Sequence, residues 1–350
     1  MNALGKRPAP MMRRVVVLAL ACGLVWIPWA FSHAEAAPAS TPVLVQTEEA
    51  APASSPTPTP QPGTASTTEG EPTPVPTPFT IAWFPDTQSS AYAEPEALEA
   101  MGQWVAEHIE SDDIVYVLQT GDLVDNGFVE EQWQNCELAY DQFVGLVPYF
   151  CIAGNHDLGV KRQQWDGYLA RPYAHTVPAE QEFLGGKGAY TLFSAGGVDF
   201  VVVGVGHGAE EESVAWVREV FGRYPDRYGI LMLHGYLHGK GTFVDDGAWI
   251  MYYRVVSQCK NIFMTLSAHY RGTAYRAFDI DDNYDGVPDR KVHSFLCNYQ
   301  NYMRLGGQIR LMRFDPADGS LTVETFSALT GHPMRDDTMK ASVFTIENVF

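Results

Sequence analysis

The chain has 350 residues and 46% of them are hydrophobic, which supplies a full core and excludes a wholly disordered protein. Lys and Arg total 23 against 42 Asp and Glu, and the net charge is -19 at pH 7. A surface this acidic repels phosphate backbones, which argues against general nucleic-acid binding. Five cysteines are too few for a scaffold built from disulfides.

Residues 1–36 have the pattern of a secretory signal peptide. A basic start precedes the apolar run 15–31, and Ala34 and Ala36 then fit an A-x-A cleavage site. We expect cleavage after Ala36, a secreted or cell-envelope location, and no transmembrane segment in the mature chain. The alternatives are an uncleaved anchor, lipidation of Cys22 and a twin-arginine signal at Arg13-Arg14.

Residues 37–78 are predicted to be a disordered linker. The segment holds 11 of the 23 prolines and no aromatic residue, and Ser and Thr fill most of the gaps. Such a composition buries no core, and its prolines keep the chain extended. The linker could hold a catalytic domain away from the cell envelope, or it could be an inert spacer.

Four cysteines remain after the leader, and an exported protein permits their oxidation. Four cysteines allow three disulfide connectivities, and the sequence does not choose among them. Four unpaired core thiols are the alternative. The cysteines concerned are Cys136, Cys151, Cys259 and Cys297.

Residues 79–350 are predicted to form one α/β domain, because short apolar runs alternate with segments of helical period. The predicted strands are 79–84, 113–119, 148–153, 198–205, 230–233 and 261–267. The predicted helices are 95–110, 130–144 and 213–224. The C-terminal part changes character, with hairpin-like runs at 274–279, 292–298, 308–314 and 321–326. We therefore expect a β-rich C-terminal half.

Polar side chains follow five of the predicted strands, at the edge where open α/β sheets place their ligand sites. The clusters are Asp86 with Gln88, Asp122 in Gly-Asp-Leu-Val-Asp-Asn, Asn155-His156-Asp157 in Gly-Asn-His-Asp, His234, and His269.

These residue types fit a centre of two divalent metals. Two cations about 3.5–4 Å apart need a bridging carboxylate, and Asp122 is the candidate. Carboxylate, amide oxygen and imidazole can complete the two sites, and a mixed N/O set without thiolate suits Fe, Mn or Zn. The remaining metal-ligand candidates are Asp86, Gln88, Asn155, His234 and His269. His156 is free to protonate a leaving group, and Asp157 could hold its other ring nitrogen.

The ordered motifs resemble those of the calcineurin-like metallophosphoesterases over nearly all of 79–330. The pattern of that family is D-x-H, G-D-x-x-D, G-N-H-D/E, a later His, and G-H-x-H. The resemblance implies a βαβ sandwich of two mixed sheets flanked by helices, with a dinuclear centre between the sheets. It also implies hydrolysis of small-molecule phosphomonoesters or phosphodiesters by attack of a metal-bound hydroxide.

Two departures from this pattern fall on the same metal. The first motif has Gln88 in place of His, and the last motif has Arg271 in place of the second His. By family analogy the first metal would use Asp86, Asp122 and these two positions. The second metal would use Asp122, Asn155, His234 and His269, all of which are present. Gln88 still offers an amide oxygen, whereas the guanidinium of Arg271 does not ligate metals.

Three interpretations follow. The centre could stay dinuclear with a weak first metal, and Arg271 would then bind the substrate phosphate. It could be mononuclear, with Arg271 replacing the lost cation. Catalysis could also be lost, leaving an envelope domain that binds a phosphorylated or acidic ligand. Hydrolysis of a non-phosphate ester is a further alternative. His207 and His238 are weaker candidates for the pocket.

A separate motif, D-x-N-x-D-G-x-x-D, has the first spacings of a calcium loop. Its residues are Asp281, Asn283, Asp285 and Asp289. The Glu that ends an EF-hand loop is replaced by Val292. A calcium-stabilised turn and an acidic solvated turn are both open.

Overall fold

Two mixed β-sheets, each covered by helices on its outer face, make up the fold. The computed structural model describes residues 76–159, 164–300, 306–334 and 342–350. The predicted signal peptide and nearly all of the predicted linker lie outside these ranges. The described part has the two mixed sheets and the flanking helices that the resemblance implies.

The first sheet joins the start of the domain to its end. Its strands are β1 (Phe79–Phe84), β2 (Ile114–Gln119), β3 (Tyr149–Cys151), β11 (Gln308–Asp315), β12 (Ser320–Ser327) and β13 (Val343–Ile346). Their order is β13-β12-β11-β1-β2-β3. The pairs β1–β2 and β2–β3 are parallel and the other pairs are antiparallel. The carboxyl ends of β1, β2 and β3 therefore meet at one edge.

The second sheet holds the middle of the chain. Its strands are β4 (Glu182–Phe183), β5 (Gly188–Ala195), β6 (Val198–Val205), β7 (Tyr228–Leu233), β8 (Ile262–Ser267), β9 (Gly272–Ile280) and β10 (Arg290–Asn298). Their order is β4-β5-β6-β7-β8-β10-β9. The strands β6, β7, β8 and β10 run parallel. Four carboxyl ends are thus brought to the same side.

Helices follow most of the parallel strands. They are α1 (Gln88–Ala93), α2 (Pro95–His108), α3 (Glu130–Tyr140), α4 (Trp165–Leu169), α5 (Glu210–Arg223) and α6 (Asp246–Met251), which continues into a π-helical turn at Tyr252–Val256. Pro95 stands at the first position of α2, where its missing N–H and fixed φ are tolerated. The buried face of α2 includes Leu98, Met101 and Val105, at helical spacing.

The core follows from the two-residue period of the strands. In β1, Ile81 and Trp83 point between the sheets, and Ala82 and Phe84 point toward α2 and α3. Phe200 of β6 is part of the cluster between the sheets, which also contains residues of β10 and β11. A third cluster lies between the second sheet and α5 and α6. The order of layers is therefore helix, sheet, sheet, helix.

Most predicted elements are present within a few residues of their predicted bounds, and the β-rich C-terminal half is confirmed. The strands β4, β5 and β13 and the short helices α1, α4 and α6 were not anticipated. The hairpin between β5 and β6 turns at Gly196-Gly197, both at positive φ, which is the signal that could have revealed β5.

The four cysteines of the domain are buried free thiols. Of the two sequence-based alternatives, the structure matches unpaired thiols. Burial raises the pKa of Cys151 to about 12 and that of Cys297 to about 11, so these thiols stay protonated.

Candidate metal centre

Four strand ends bring together a set of metal-ligand side chains. The ligand atoms of Asp122, His234 and His269 all lie within 4.8 Å of one another. The Oδ1 atom of Asn155 lies 3.1 Å from His234 Nε2. Asp122 and Asn155 follow strands of the first sheet, whereas His234 and His269 follow strands of the second. The second-metal set predicted from the sequence is thus assembled where the two sheets meet.

Backbone conformation at these strand ends explains the glycines of the motifs. Gly121 has φ +93°, and a Cβ on Gly154 would lie 2.2 Å from the Asp122 backbone nitrogen. Asp122 and His269 are non-glycine residues at φ +50° and +64°. Such left-handed conformations are costly for L-residues and cluster at functional sites. The loops are therefore shaped to aim these two side chains.

The ring of His234 is oriented by the backbone. Its Nδ1 lies 2.8 Å from the Thr120 carbonyl oxygen and donates to it, so Nε2 is the atom that faces the site. That Nε2 lies 3.3 Å from Asp122 Oδ2 and 3.2 Å from His269 Nδ1. A backbone carbonyl on the far nitrogen is the usual support for a metal-ligating histidine.

The two histidines of the site have opposite pKa shifts. Burial works to lower the pKa of His234, but Asp122 outweighs it and the pKa rises to about 10. Burial and the charge of His234 lower the pKa of His269 to about 4. Three atoms therefore surround the single proton on His234 Nε2: Asp122 Oδ2, His269 Nδ1 and Asn155 Oδ1. One proton cannot bond well to all three, whereas a cation can bind all of these groups. This donor set fits a borderline divalent cation such as Zn, Fe or Mn.

Asp86 is buried beside this set and is held by amides. Its Oδ1 accepts from the His269 N–H at 3.3 Å. Its Oδ2 accepts from Asn298 Nδ2 at 2.6 Å and from Gln300 Nε2. Burial and the nearby charge of Asp122 raise the pKa of Asp86 well above its usual range. Asn298 and Gln300 were missed in the sequence, although Asn298 ends β10, which pairs in parallel with β8.

Gln88 lies in the first turn of α1 and is 5% exposed. Its Nε2 donates to Gln300 Oε1 at 2.6 Å. Among the residues that the structure describes, no hydrogen-bond donor reaches its buried Oε1. An acceptor in this position is suited to a cation or a bound water.

From the sequence we expect Asp157 to hold the second ring nitrogen of His156, but the residue found there is Asp125. His156 Nδ1 lies 2.6 Å from the Asp125 carbonyl oxygen and 3.4 Å from the Asp125 carboxylate. Asp157 instead points beneath the loops, where it accepts from the N–H groups of Gly154 and Val124. Burial and the charge of Asp122 raise its pKa to about 7. Asp125 therefore orients the histidine, and Asp157 supports the ligand loops.

The rim of the site contains the weaker candidates. The His207 ring centroid lies 5.8 Å from the centroids of both His234 and His269. His238 lies 5.3 Å from Tyr270, whose ring packs edge-on against His269 at 4.7 Å. Arg271 is exposed and directly precedes β9. His207 is thus closer to the ligand set than the sequence indicated.

The acidic loop between β9 and β10 is largely exposed. The carboxylate of Asp281 accepts from the N–H groups of Asp285 and Gly286. That of Asp289 accepts from the Asp282 N–H and from Asn283 Nδ2. These bonds suit an acidic turn as well as a calcium loop, so calcium binding stays a prediction. Within the described ranges, no helix has the length and apolarity needed to cross a membrane.

Comparison with known proteins places the chain in a family. The sequence model of the calcineurin-like phosphoesterases matches residues 79–258. YvnB, an uncharacterised protein of Bacillus subtilis (strain 168), is 33% identical over 257 residues, which are 71% of this chain and 20% of YvnB. The chain therefore spans about a fifth of the length of that relative.

One of the solved structures similar to this chain shares its fold. Purple acid phosphatase PPD1 from yellow lupin (Lupinus luteus) seeds superposes with a TM-score of 0.52 and 16% identity, covering 77% of this chain and 54% of PPD1. GAP50, the anchor in the inner membrane complex of Plasmodium, has a TM-score of 0.46 and 10% identity, covering 77% and 88% of the two chains. Since the family match spans more than half of the sequence, the chain belongs to the calcineurin-like phosphoesterase family.

Proposed function

We propose that this protein is an exported, metal-dependent phosphoesterase that hydrolyses small-molecule phosphate esters. The observation that carries the proposal is the convergence of Asp122, His234 and His269 within 4.8 Å, with the Asn155 amide oxygen beside them. A decayed binding domain has no need to keep this complete set of ligands. Export is supported by the leader-like residues 1–36, and sequencing a mature N-terminus that begins at Ala37 would test it.

Four side chains would hold the cation of the second position: Asp122, Asn155, His234 and His269. When bound, a divalent metal polarises a phosphoryl oxygen and lowers the pKa of water. The protein fixes this site from both sheets, and the Thr120 carbonyl keeps His234 in the required orientation. The chain thus supplies four metal ligands from the strand ends of both sheets, which is the arrangement that metal-assisted hydrolysis needs.

His156 is the candidate for contact with the leaving group. Its backbone N–H donates to Asp122 Oδ1 at 2.8 Å, which ties its position to the metal ligand. Its Nδ1 is held on the Asp125 carbonyl oxygen, so Nε2 remains for the substrate. A protonated Nε2 can hydrogen-bond a phosphoryl oxygen or donate its proton to the departing alkoxide.

The test is hydrolysis of a chromogenic phosphomonoester and phosphodiester, with metal content measured on the same samples. We expect His234→Ala to lose bound metal and essentially all turnover. His156→Asn should keep the metal and lower kcat by about 10²–10⁴, the usual contribution of general acid catalysis. The exposed His332 provides a matched control, since His332→Ala should change neither quantity.

A metal-loaded wild-type protein that hydrolyses neither ester class would contradict the proposal. The same holds if His156→Asn retains full activity toward every ester that the wild type cleaves. In the first case, binding of a phosphorylated or acidic ligand without turnover would be the function to examine.

A further inference from the structure

The first metal position of this chain offers oxygen atoms in place of imidazoles. By family analogy it is built from Asp86, Asp122 and positions 88 and 271. Here those two positions are Gln88 and Arg271, and a guanidinium does not ligate. Two carboxylates and one amide oxygen are left, and none of these donors is a nitrogen.

The hydrogen-bond network fixes which atom of each amide faces which partner. Asn298 Nδ2 donates to Asp86 Oδ2 and to the His269 carbonyl oxygen, and Asn298 Oδ1 accepts from the Gln300 N–H. Gln300 Nε2 donates to Asp86, so Gln300 Oε1 is the acceptor for Gln88 Nε2. Among the residues that the structure describes, no donor reaches the remaining acceptor of this chain of amides, the buried Gln88 Oε1.

We propose that the first position selects a hard divalent cation of the Mg²⁺ and Mn²⁺ type, with Gln88 as an oxygen ligand and Asn298 and Gln300 as positioning residues. Hard cations prefer carboxylate and carbonyl oxygens, whereas imidazoles favour Zn, Fe and the later transition metals. The two positions of the centre would then differ in the kind of cation they hold. The inference deepens the proposed function and rests on the same site.

Asn298 and Gln300 are positioning residues because their side-chain amides hold metal ligands and are not ligands themselves. Both Asn298 and Gln300 donate to one oxygen of Asp86, and Asn298 also holds the backbone of the ligand His269. Partners that orient metal-ligating carboxylates commonly contribute 10–100-fold, roughly, to metal affinity. Asn298 therefore links the first position to the second, whereas the side chain of Gln300 bonds to Asp86 and Gln88 of the first position.

The experiment uses the full chain with one equivalent of Zn²⁺ on the second position and Mn²⁺ as the probe. Electron paramagnetic resonance of free Mn²⁺ counts bound Mn²⁺, and Mg²⁺ is added as a competitor. We expect one Mn²⁺ per chain, displaced by Mg²⁺ in about 100-fold excess because the ligands are all oxygen. Asp281→Ala should leave the count unchanged, which shows that the acidic loop is not the source.

Two variants separate the ligand from its supports. Gln88→His, which restores the imidazole of the family pattern, should raise the ratio of the Mg²⁺ to the Mn²⁺ dissociation constant by about tenfold or more, since imidazole favours Mn²⁺ over Mg²⁺. Gln300→Ala should weaken both cations about 10–100-fold and leave that ratio unchanged. The surface variant Gln103→Ala should change neither constant.

Three results would overturn the inference. One is Mn²⁺ that Mg²⁺ fails to displace in the wild type, and another is an unchanged ratio in Gln88→His. The third is no Mn²⁺ bound beside Zn²⁺, as expected if Arg271 replaces the first cation. All readouts are dissociation constants and none is an activity. A protein that binds the cations as expected but hydrolyses no ester would therefore contradict the proposed function and leave this inference intact.

Discussion

At the scale of single residues, Asp157 contributes through backbone groups. Its buried carboxylate accepts from the N–H groups of Gly154 and Val124, which belong to the two loops that carry Asn155 and Asp122. Removing a buried acceptor leaves each donor unsatisfied, at about 1–3 kcal/mol per group. We expect Asp157→Ala to lower the free energy of unfolding by about 2–5 kcal/mol, and Asp157→Asn, which keeps one acceptor, to lower it by less.

Urea denaturation of the metal-free protein measures this difference. The exposed Asp226 supplies the control, because Asp226→Ala should change stability by no more than about 0.5 kcal/mol. Equal stabilities of Asp157→Ala and Asp226→Ala would show that the two backbone donors find other partners.

Sequence reasoning anticipates which side chains come together where a motif places each of them at a strand end. Asp122 and the histidines were identified because each follows a buried strand, and the structure brings their ligand atoms together. Asn298 was missed because its bond to Asp86 spans 212 residues and exists only once β10 pairs with β8. Asp157 was expected to hold His156 because it is the next residue in the chain. The loop conformation instead turns Asp157 toward the Gly154 N–H and brings Asp125 to the histidine ring.

At the scale of elements, α2 and α3 cross with their backbones in contact. A Cβ added to Gly102 of α2 would lie 1.9 Å from the carbonyl oxygen of Ala139 in α3. The carbonyl oxygen belongs to the backbone of α3 and cannot rotate away as a side chain can. The two helices would therefore have to move apart. We expect Gly102→Ala to destabilise the domain by about 1–3 kcal/mol, although alanine is the better helix former.

Gly222 near the end of α5 is the matched control for this substitution. An added Cβ there meets nothing within 4 Å, so Gly222→Ala should be neutral or stabilise by up to about 1 kcal/mol. Thermal unfolding of both variants tests the pair, and a stabilised Gly102→Ala would show that α2 and α3 are not in close contact.

Element-level predictions were best for strands buried on both faces. The strands β1 and β6 have the bounds predicted for them, because most of their residues are apolar and buried. The strands β5 and β13 were missed, since both are partly exposed and β13 has only four residues. The helix α1 has six residues, too few to show a periodic apolar face, although it carries Gln88 into the site.

At the scale of the whole molecule, the candidate centre exists only when the two sheets are packed together. Asp122 and Asn155 come from the first sheet, and His234 and His269 from the second. A cation that binds all four stabilises the packed state over any state in which the sheets separate. Metal binding should therefore stabilise both sheets and their helices as one unit.

The buried thiols give a residue-specific measure of that coupling. Cys136 and Cys151 lie between the first sheet and its helices, Cys297 lies between the sheets, and Cys259 lies beyond the second sheet. Burial protects all four from alkylation, so each is labelled only when its part of the core opens. If the domain unfolds cooperatively, the four should be labelled with the same midpoint in urea.

Added Zn²⁺, the cation used above for the second position, should then raise all four midpoints together, including that of Cys259, which is in none of the ligand-bearing loops. Stabilisation follows RT ln(1 + [L]/Kd), so a concentration 100 times the dissociation constant adds about 2.7 kcal/mol. Mass spectrometry of the alkylated protein reads each site separately, and His234→Ala should abolish the common shift. A midpoint for Cys259 that stays fixed while those of Cys136 and Cys151 rise would mean that the metal stabilises the first sheet alone, and the four ligands would then not be held by one cation.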